Sequence, residues 1–269
     1  RFPPNDLKHT LPQQLLILEV ARRLAAHHPA LPAATTSVYV GMGCDPEIAR
    51  YSMRWRLDEW AGQWAAEGRP VTPDWIAAAK AALIPGLEAA GVIGTMPNIP
   101  ANRINAQLNL FGPSHTVSAE ELSGLRALEC AADALRRGEI DAAFVGAVDL
   151  SVETVHEAAA ARLFPAPRQT PGDAAVVLLL KRLDDAQRDG DEILAILDTV
   201  SSQAKGSATP GDFSVGLRGG LPSVSSSFGH AHAAAGLLHV AVGTLCLHDR
   251  VRLAAGAGGV LRVAEPWLA

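Results

Sequence analysis

One polar turn and the helix that follows it, at residues 116–135, place the strongest constraint on how this chain folds. The apolar residues of this stretch recur every three or four positions, which predicts a helix with one apolar face. They are Leu122, Leu125, Leu128, Ala132 and Leu135. Residues at the start of such a helix, here 116–121, lie at the positive end of the helix dipole beside unpaired backbone N–H groups. That position favours a nucleophile or a bound anion.

Apolar stretches before and after this helix predict four strands, at residues 37–43, 142–150, 171–183 and 191–197. Continuous apolar strands are covered on both faces, so we expect helices on both sides of a parallel or mixed sheet. The first strand ends in a Gly-x-Gly sequence. The third glycine of a dinucleotide-binding fingerprint would fall on Pro46, which excludes that kind of site.

The composition excludes several classes of partner and site. A hydrophobic content of 48% in 269 residues predicts a substantial core, and we expect one domain over residues 1–269. The net charge of −5, without a basic run, does not indicate nucleic acid or an anionic membrane surface as a partner. The three cysteines, Cys44, Cys130 and Cys246, are isolated, which argues against disulfides and zinc and favours a reducing cytoplasm. No apolar run of about 20 residues predicts a membrane-spanning helix.

Several motifs resemble those of β-ketoacyl synthases, the condensing enzymes of fatty-acid and polyketide synthesis. Residues 94–104, 111–114 and 116–117 are similar to the approach to the nucleophile turn of that family. Residues 227–236 are similar to its Asn-Ile-Gly-His-x-Glu-Ala-Ala-Ala-Gly motif, which aligns His230 with the second catalytic histidine. The resemblance implies a thiolase-like, layered αβαβα fold, in which two sheets surround a central layer of helices.

The chain departs from the family at the nucleophile, because Glu121 is aligned with the catalytic cysteine. Residues 119–125 resemble instead the Ala-Glu-Gln-x-Gly-Gly-Leu pattern of chain-length factors, most of all those of polyunsaturated fatty-acid synthases. Chain-length factors are synthase-fold subunits that have lost the cysteine. The resemblance therefore implies an active ketosynthase as partner, or a homodimer, together with an acyl carrier protein.

Glu121 and His230 are the candidate catalytic residues, because they align with catalytic positions of the family. These positions are degenerate in this chain, since the cysteine is replaced. Condensation needs a thiolate, two imidazoles and an oxyanion hole. A carboxylate that attacks a thioester yields a high-energy anhydride, so we do not expect this chain to condense acyl groups alone. Ser118 and Glu121 also have the spacing of a capping box, worth about 1 kcal/mol. Alternatively, the Glu121 carboxylate imitates a malonyl carboxylate or assists decarboxylation.

Neither a cofactor nor a metal ion is expected from the sequence. His232 and His239 share a helix face, but at about 1.5 Å per residue they lie roughly 10.5 Å apart and cannot bind one ion. His230 alone is more often a buried, hydrogen-bonded histidine than a catalyst.

Two helical regions need no catalytic role. A helix is predicted from residue 11, with Thr10 as a candidate cap and with Leu16, Val20 and Leu24 on its buried side. Residues 47–93 are helical in character and contain four tryptophans, Trp55, Trp60, Trp64 and Trp75. We interpret these as the aromatic packing of a helical insertion. In synthases this region helps to form the acyl pocket and the dimer flank, so a partner-facing surface remains open.

The function expected from the resemblance is that of a non-condensing chain-length-factor partner, which pairs with a ketosynthase across the strand before Glu121 and bounds the acyl tunnel. A malonyl-carrier decarboxylase that uses Glu121 and His230, and an acyl- or carrier-protein-binding module, remain as alternatives. The His-Gly-Thr-Gly-Thr motif of the family is absent near residues 201–223, so either the protein has lost this segment or the 269 residues omit it. Residue 1 is Arg rather than Met, and we expect the chain to belong to something longer or to begin within a domain.

Overall fold

A four-stranded mixed sheet forms the centre of the computed structural model. Its strands are β1 (Thr36–Gly41), β2 (Ser114–Val117), β3 (Ala142–Leu150) and β4 (Asp173–Lys181), in the order β2-β1-β3-β4. β1 is parallel to β2 and β3, whereas β4 is antiparallel to β3. A separate antiparallel pair consists of β5 (Val251–Ala255) and β6 (Leu261–Pro266). The structure describes residues 3–43, 45, 48–151, 153–166, 169–197, 224–255 and 261–266.

Helices cover both faces of this sheet. In chain order they are α1 (Pro4–Lys8), α2 (Pro12–Ala26), α3 (Ala49–Ala66), α4 (Pro73–Leu83), α5 (Ala89–Thr95), α6 (Ile99–Leu108), α7 (Ser123–Arg136), α8 (Thr154–Leu163), α9 (Leu183–Asp189), α10 (Val224–Phe228) and α11 (His232–His248). Helices α7 and α11 pack on one face, and α2 and α6 pack on the other. Among the described helices, none is long and apolar enough to cross a membrane.

The side chains of β3 alternate between the two faces, as the period of a strand requires. Val145 and Ala147 belong to the core beneath α7 and α11, whereas Phe144 and Val148 belong to the core beneath α2 and α6. All but the last residue of β3 are buried, which explains why its sequence is apolar without interruption. The prediction of an α/β fold with a mixed sheet and helices on both sides is confirmed.

Close backbone packing fixes the start of α7 against the sheet and against α11. A Cβ atom on Gly41, at the end of β1, would lie 2.5 Å from the Cα atom of Gly124. A Cβ atom on Gly124 would in turn lie 2.9 Å from Ala147 Cβ and 3.0 Å from Leu237 Cβ. No side chain larger than hydrogen fits at these two glycines. The end of β1 and the start of α7 are therefore in direct backbone contact.

Two expectations about secondary structure are wrong. Residues 191–197 form no strand, and Ile196 is 66% exposed. A strand needs a neighbour for its backbone hydrogen bonds, and the described residues place none beside this segment. In α2 the buried side is that of Ile17 and Ala21, while Leu16 is exposed and Val20 and Leu24 are only half-buried. The helix is turned by one residue, about 100°, so that Ile17 Cδ1 packs closely at Gly146.

The tryptophan-rich region forms a hairpin of α3 and α4, as predicted for a helical insertion. Trp64 and Trp75 pack edge to face with ring centroids 6.2 Å apart. Trp55 is 64% exposed on the outside of α3. A partner-facing role for this aromatic surface stays a prediction. The expected loop at 201–223 lies outside the described residues.

Candidate active site

A 3₁₀ turn, Glu120–Leu122, carries Glu121 into the site. The hydroxyl of buried Ser123 closes this turn: it accepts from the backbone N–H of Ala119 at 2.9 Å and donates to the carbonyl of Glu120 at 2.6 Å. The predicted capping box is wrong. Ser118 is not the cap, and within this fully described stretch neither the turn nor α7 has a side-chain cap. Helix α7 begins at Ser123, directly after this turn.

His230 is held in register by backbone contacts with the segment before β4. Its N–H donates to the carbonyl of Thr170 at 2.8 Å, and its carbonyl accepts from Gly172 N–H at 3.2 Å. Gly229 has a φ of 75°, and a Cβ atom there would lie 2.6 Å from the carbonyl carbon of Pro171. Glycine is therefore required beside His230, as at positions where backbone approaches backbone.

The two predicted catalytic residues, Glu121 and His230, lie in direct proximity. Glu121 Oε1 is 3.5 Å from His230 Nε2, and the side chain of His230 is only 4% exposed. Glu121 and His230 are far apart in the sequence. They come together because α11 packs against α7 and against the turn before it. Their catalytic role stays a prediction.

The backbone is strained where this site meets solvent. Glu120 and His232 both have positive φ angles, of 50° and 31°, which cost side-chain-bearing residues about 1–3 kcal/mol each. Their side chains meet, with His232 Nε2 3.3 Å from Glu120 Oε2. Positive φ at a non-glycine residue often marks a functional site.

Aromatic rings from α8 and from the residue after it border the site. The ring of Phe164 contacts His230 and His232, with centroids 5.5 and 5.6 Å apart. The ring centroids of His156 and His232 are 5.9 Å apart. Burial lowers the pKa of His156, so its imidazole is neutral at neutral pH.

A carboxylate at the end of β3 holds the first turn of α11. Asp149 Oδ1 accepts from Ser151 Oγ at 2.7 Å, and Oδ2 accepts from Ala233 N–H at 3.4 Å. A negative charge at a helix N-terminus is favourable. Sequence reasoning missed Asp149, His156 and Phe164. A signal for Asp149 exists in its position, since a carboxylate ends an otherwise apolar strand.

These groups border an open pocket of about 430 Å³. Its lining residues are Ala119, Glu120, Glu121, Leu122, His156, Ala159, Ala160, Leu163, Phe164 and His232. The lining is mostly apolar and includes two carboxylates, Glu120 and Glu121, and two imidazoles, His156 and His232. Such a pocket can hold an acyl group and present a polar head to Glu121 and the histidines.

Three side chains of the site could act as metal ligands. Glu121, His230 and His232 each offer one ligand atom, and these atoms lie within 4.8 Å of one another. His239, which shares a helix with His232, is not part of this group. It is buried, and its Nδ1 is 2.7 Å from the carbonyl of Ala235 one helical turn away.

The family model of the β-ketoacyl synthase N-terminal domain matches residues 1–186. Among curated proteins, the highly reducing polyketide synthase PKS2 of Leptosphaeria maculans is 29% identical over 210 residues, which cover 72% of this chain. The highly reducing polyketide synthase stpks1 of Strobilurus tenacellus is 36% identical over 123 residues, or 41% of this chain. The chain spans only 7% and 4% of the length of these two relatives.

Two solved structures share the fold. The ketosynthase from module 6 of the bacillaene synthase of Bacillus subtilis 168 superposes with a TM-score of 0.60 at 20% identity, over 100% of this chain and 55% of its own. A PfaC keto synthase-chain length factor superposes with a TM-score of 0.55 at 23% identity, over 67% of this chain and 21% of its own. The thiolase-like fold class predicted from the sequence is confirmed.

Proposed function

This chain belongs to the β-ketoacyl synthase family, and from that premise we propose that it is a non-condensing, chain-length-factor-like domain that pairs with an active ketosynthase. The observation that carries the proposal is the carboxylate of Glu121, 3.5 Å from His230 Nε2 at the position where the family resemblance has a cysteine. The proposed role extends over residues 1–269 as one domain, in polyunsaturated fatty-acid or polyketide synthesis. A cytoplasmic location, expected from the isolated cysteines, is part of the same proposal.

The chemistry of the Glu121–His230 pair supports a role without condensation. A condensing enzyme needs a group that accepts an acyl chain from a thioester and releases it again. A carboxylate can accept it only as an anhydride, which is too high in energy to accumulate. The pair is instead suited to bind or orient a polar head, while the apolar pocket beside it accommodates a chain.

The free edge of the sheet supports the proposed pairing with a ketosynthase. Within the described sheet β2 is hydrogen-bonded on one side only, to β1, and its residues are half-buried or exposed. Phe111, three residues before β2, is 69% exposed. An unpaired strand edge beside an exposed aromatic ring can add a strand or helix of a partner. An acyl carrier protein would be a further, transient partner of the complex.

The test is co-expression with ketosynthases encoded in the same genome, followed by measurement of complex mass and product length. We expect a stable pair, and we expect Phe111→Asp to weaken it because a charge would be buried at the interface. Ile196→Asp is the matched control, since it places the same charge at an apolar residue of similar exposure, 66%, that belongs to no strand or helix. A pair whose product length shifts when residues between positions 94 and 116 are enlarged would support the tunnel role. Absence of any complex would contradict the proposal and favour an acyl- or carrier-protein-binding module.

A second function, decarboxylation of a malonyl carrier, is favoured by the same pair of side chains. Loss of CO2 from a malonyl thioester leaves an enolate, which imidazole N–H groups can stabilise. The test is CO2 release from malonyl carrier by the purified chain, with Glu121→Gln and His230→Gln as variants. Steady release that both variants reduce would establish this activity, and its absence from a well-folded sample would exclude it.

A further inference from the structure

Glu121, His230 and His232 form a set of metal-ligand donors, of which the third, His232, has no part in the proposed function. Two imidazoles and one carboxylate are a common ligand set of catalytic zinc sites, in which three protein ligands leave one position open. The three residues come from two turns, one before α7 and one at the start of α11. The three donors do not form a sequence motif, because Glu121 is far from the two histidines along the chain.

The distances suit one ion. In a tetrahedral site with bonds of 2.0–2.1 Å, neighbouring ligand atoms are about 3.3 Å apart. Glu121 Oε1 and His230 Nε2, at 3.5 Å, already have this separation. All three ligand atoms lie within 4.8 Å of one another, so the widest pair must close by at most about 1.5 Å. Rotation of the Glu121 or His232 side chain, each 17% exposed, achieves a shift of this size.

The surroundings of His232 fit a metal ligand. Ligating histidines almost always donate the second ring N–H to a carboxylate or carbonyl. His232 Nε2 lies 3.3 Å from Glu120 Oε2, which leaves Nδ1 for an ion. Nδ1 is buried and has no hydrogen-bond partner among the described residues. An unsatisfied buried ring nitrogen costs free energy that a bound ion would recover.

We propose that Glu121, His230 and His232 bind a divalent transition-metal ion, Zn²⁺ above all, whose open coordination position faces the 430 Å³ pocket. The single carboxylate offsets part of the ion's charge, and the pocket leaves room for a water molecule or the polar head of a ligand. This inference goes beyond the proposed function and does not depend on it, because it concerns this chain alone. It also departs from the expectation that the chain binds no metal, which was argued from His232 and His239.

The test is titration of the tag-free, chelator-treated protein with Zn²⁺ by calorimetry, and with Co²⁺ by visible absorption spectroscopy. We expect one ion per chain and cobalt bands typical of tetrahedral coordination. Glu121→Gln, His230→Asn and His232→Asn should each weaken the affinity by about 100-fold, because each removes one of only three protein ligands. Glu121→Gln is nearly isosteric at a partly exposed position, so it keeps the test valid if a histidine variant fails to fold.

His248→Asn provides the matched control. His248 Nε2 lies within 4.0 Å of Glu192 and Asp249, so it represents an ordinary surface cluster of histidine and carboxylates. Its replacement should leave stoichiometry, affinity and spectrum unchanged. The proposal is overturned if the wild type binds no stoichiometric ion, if Glu121→Gln binds as tightly as the wild type, or if His248→Asn abolishes binding.

Discussion

In the site, backbone segments pack directly on one another, whereas in the α3–α4 hairpin long side chains fill the space between two helices. Gly41 and Gly124 bring strand and helix so close that no Cβ atom fits between them. In the hairpin, Trp64 and Trp75 separate the helices, and Arg54 Nη1 donates to the carbonyl of Ile84 at 3.1 Å. Backbone packing leaves no room to adjust, and side-chain packing does. Position is therefore held more tightly at the site than in the hairpin.

A methyl group added in each region should change the free energy of unfolding in opposite directions. This is the largest difference that we expect between the two regions. Gly41→Ala forces a Cβ atom to within 2.5 Å of Gly124 Cα, so we expect a loss of about 3 kcal/mol in the free energy of unfolding. Gly62→Ala is the matched control in α3, where a Cβ atom meets nothing within 4 Å. Since alanine is the better helix former, it should gain about 0.5–1 kcal/mol.

Urea unfolding of both variants, followed by circular dichroism, measures this difference. Equal effects of the two substitutions would show that the packing at Gly41 is not tighter than the packing in the hairpin. Gly41→Ala should also displace Glu121 from His230, because Gly124 lies in the first turn of α7, directly after the turn that carries Glu121. Loss of the proposed metal affinity in a sample that remains folded would reveal that displacement.

The positions of helices and strands could be predicted from the sequence better than the side of each element that is buried. The strands at β1, β3 and β4 and the helix α7 were predicted, because uninterrupted apolar runs and a period of 3.6 are local signals. The centre of the buried side of α2 was mispredicted, because the burial of Ile17 depends on the space left by Gly146 in a distant strand. Position 196 belongs to an apolar run that forms no strand, since pairing is not a local property.

The same limit applies to the candidate site. Glu121 and His230 were found through family motifs that each lie within one segment. His156 lies in α8 and Phe164 directly follows it, and both meet His232 only in the folded chain. The sequence places His232 and His239 on one face of one helix, and the geometry of a single helix cannot reveal a donor from another element.

Removal of one aromatic ring from the hairpin should have an intermediate and local effect. Trp64→Ala removes the edge-to-face contact with Trp75, so we expect a loss of about 1–2 kcal/mol. Hydrogen exchange should accelerate in α3 and α4 while amides of β1 and β3 keep their protection. Trp55→Ala, at an exposed ring on the same helix, should change stability by no more than about 0.5 kcal/mol. Faster exchange in β1 would contradict the separation of the two regions.

The smallest effect concerns a carboxylate that links the starts of β1 and β3. The hydroxyl of Thr35 donates to Asp141 Oδ2 at 2.7 Å, and Arg182 donates to Oδ1. The hydrogen bond from Thr35, and to a smaller extent the one from Arg182, lowers the pKa of Asp141 below its ordinary value of 3.8. A carboxyl group whose pKa is lower in the folded state stabilises it above the unfolded value, and this contribution is lost as the pH falls through the folded pKa.

Asp141→Asn should therefore reduce the free energy of unfolding at pH 7 and have a diminishing effect below pH 3.8. Because the side chain is 45% exposed, solvent screening limits the loss to less than about 1 kcal/mol. Asp58→Asn is the control in the hairpin, where Asp58 Oδ2 lies 2.6 Å from Lys80 Nζ at 66% exposure and should contribute less still. Urea unfolding at pH 7 and pH 3 compares the two. A larger loss for Asp58→Asn would reverse the comparison, because the hairpin would then depend more on a surface ion pair than the sheet depends on the link between its strands.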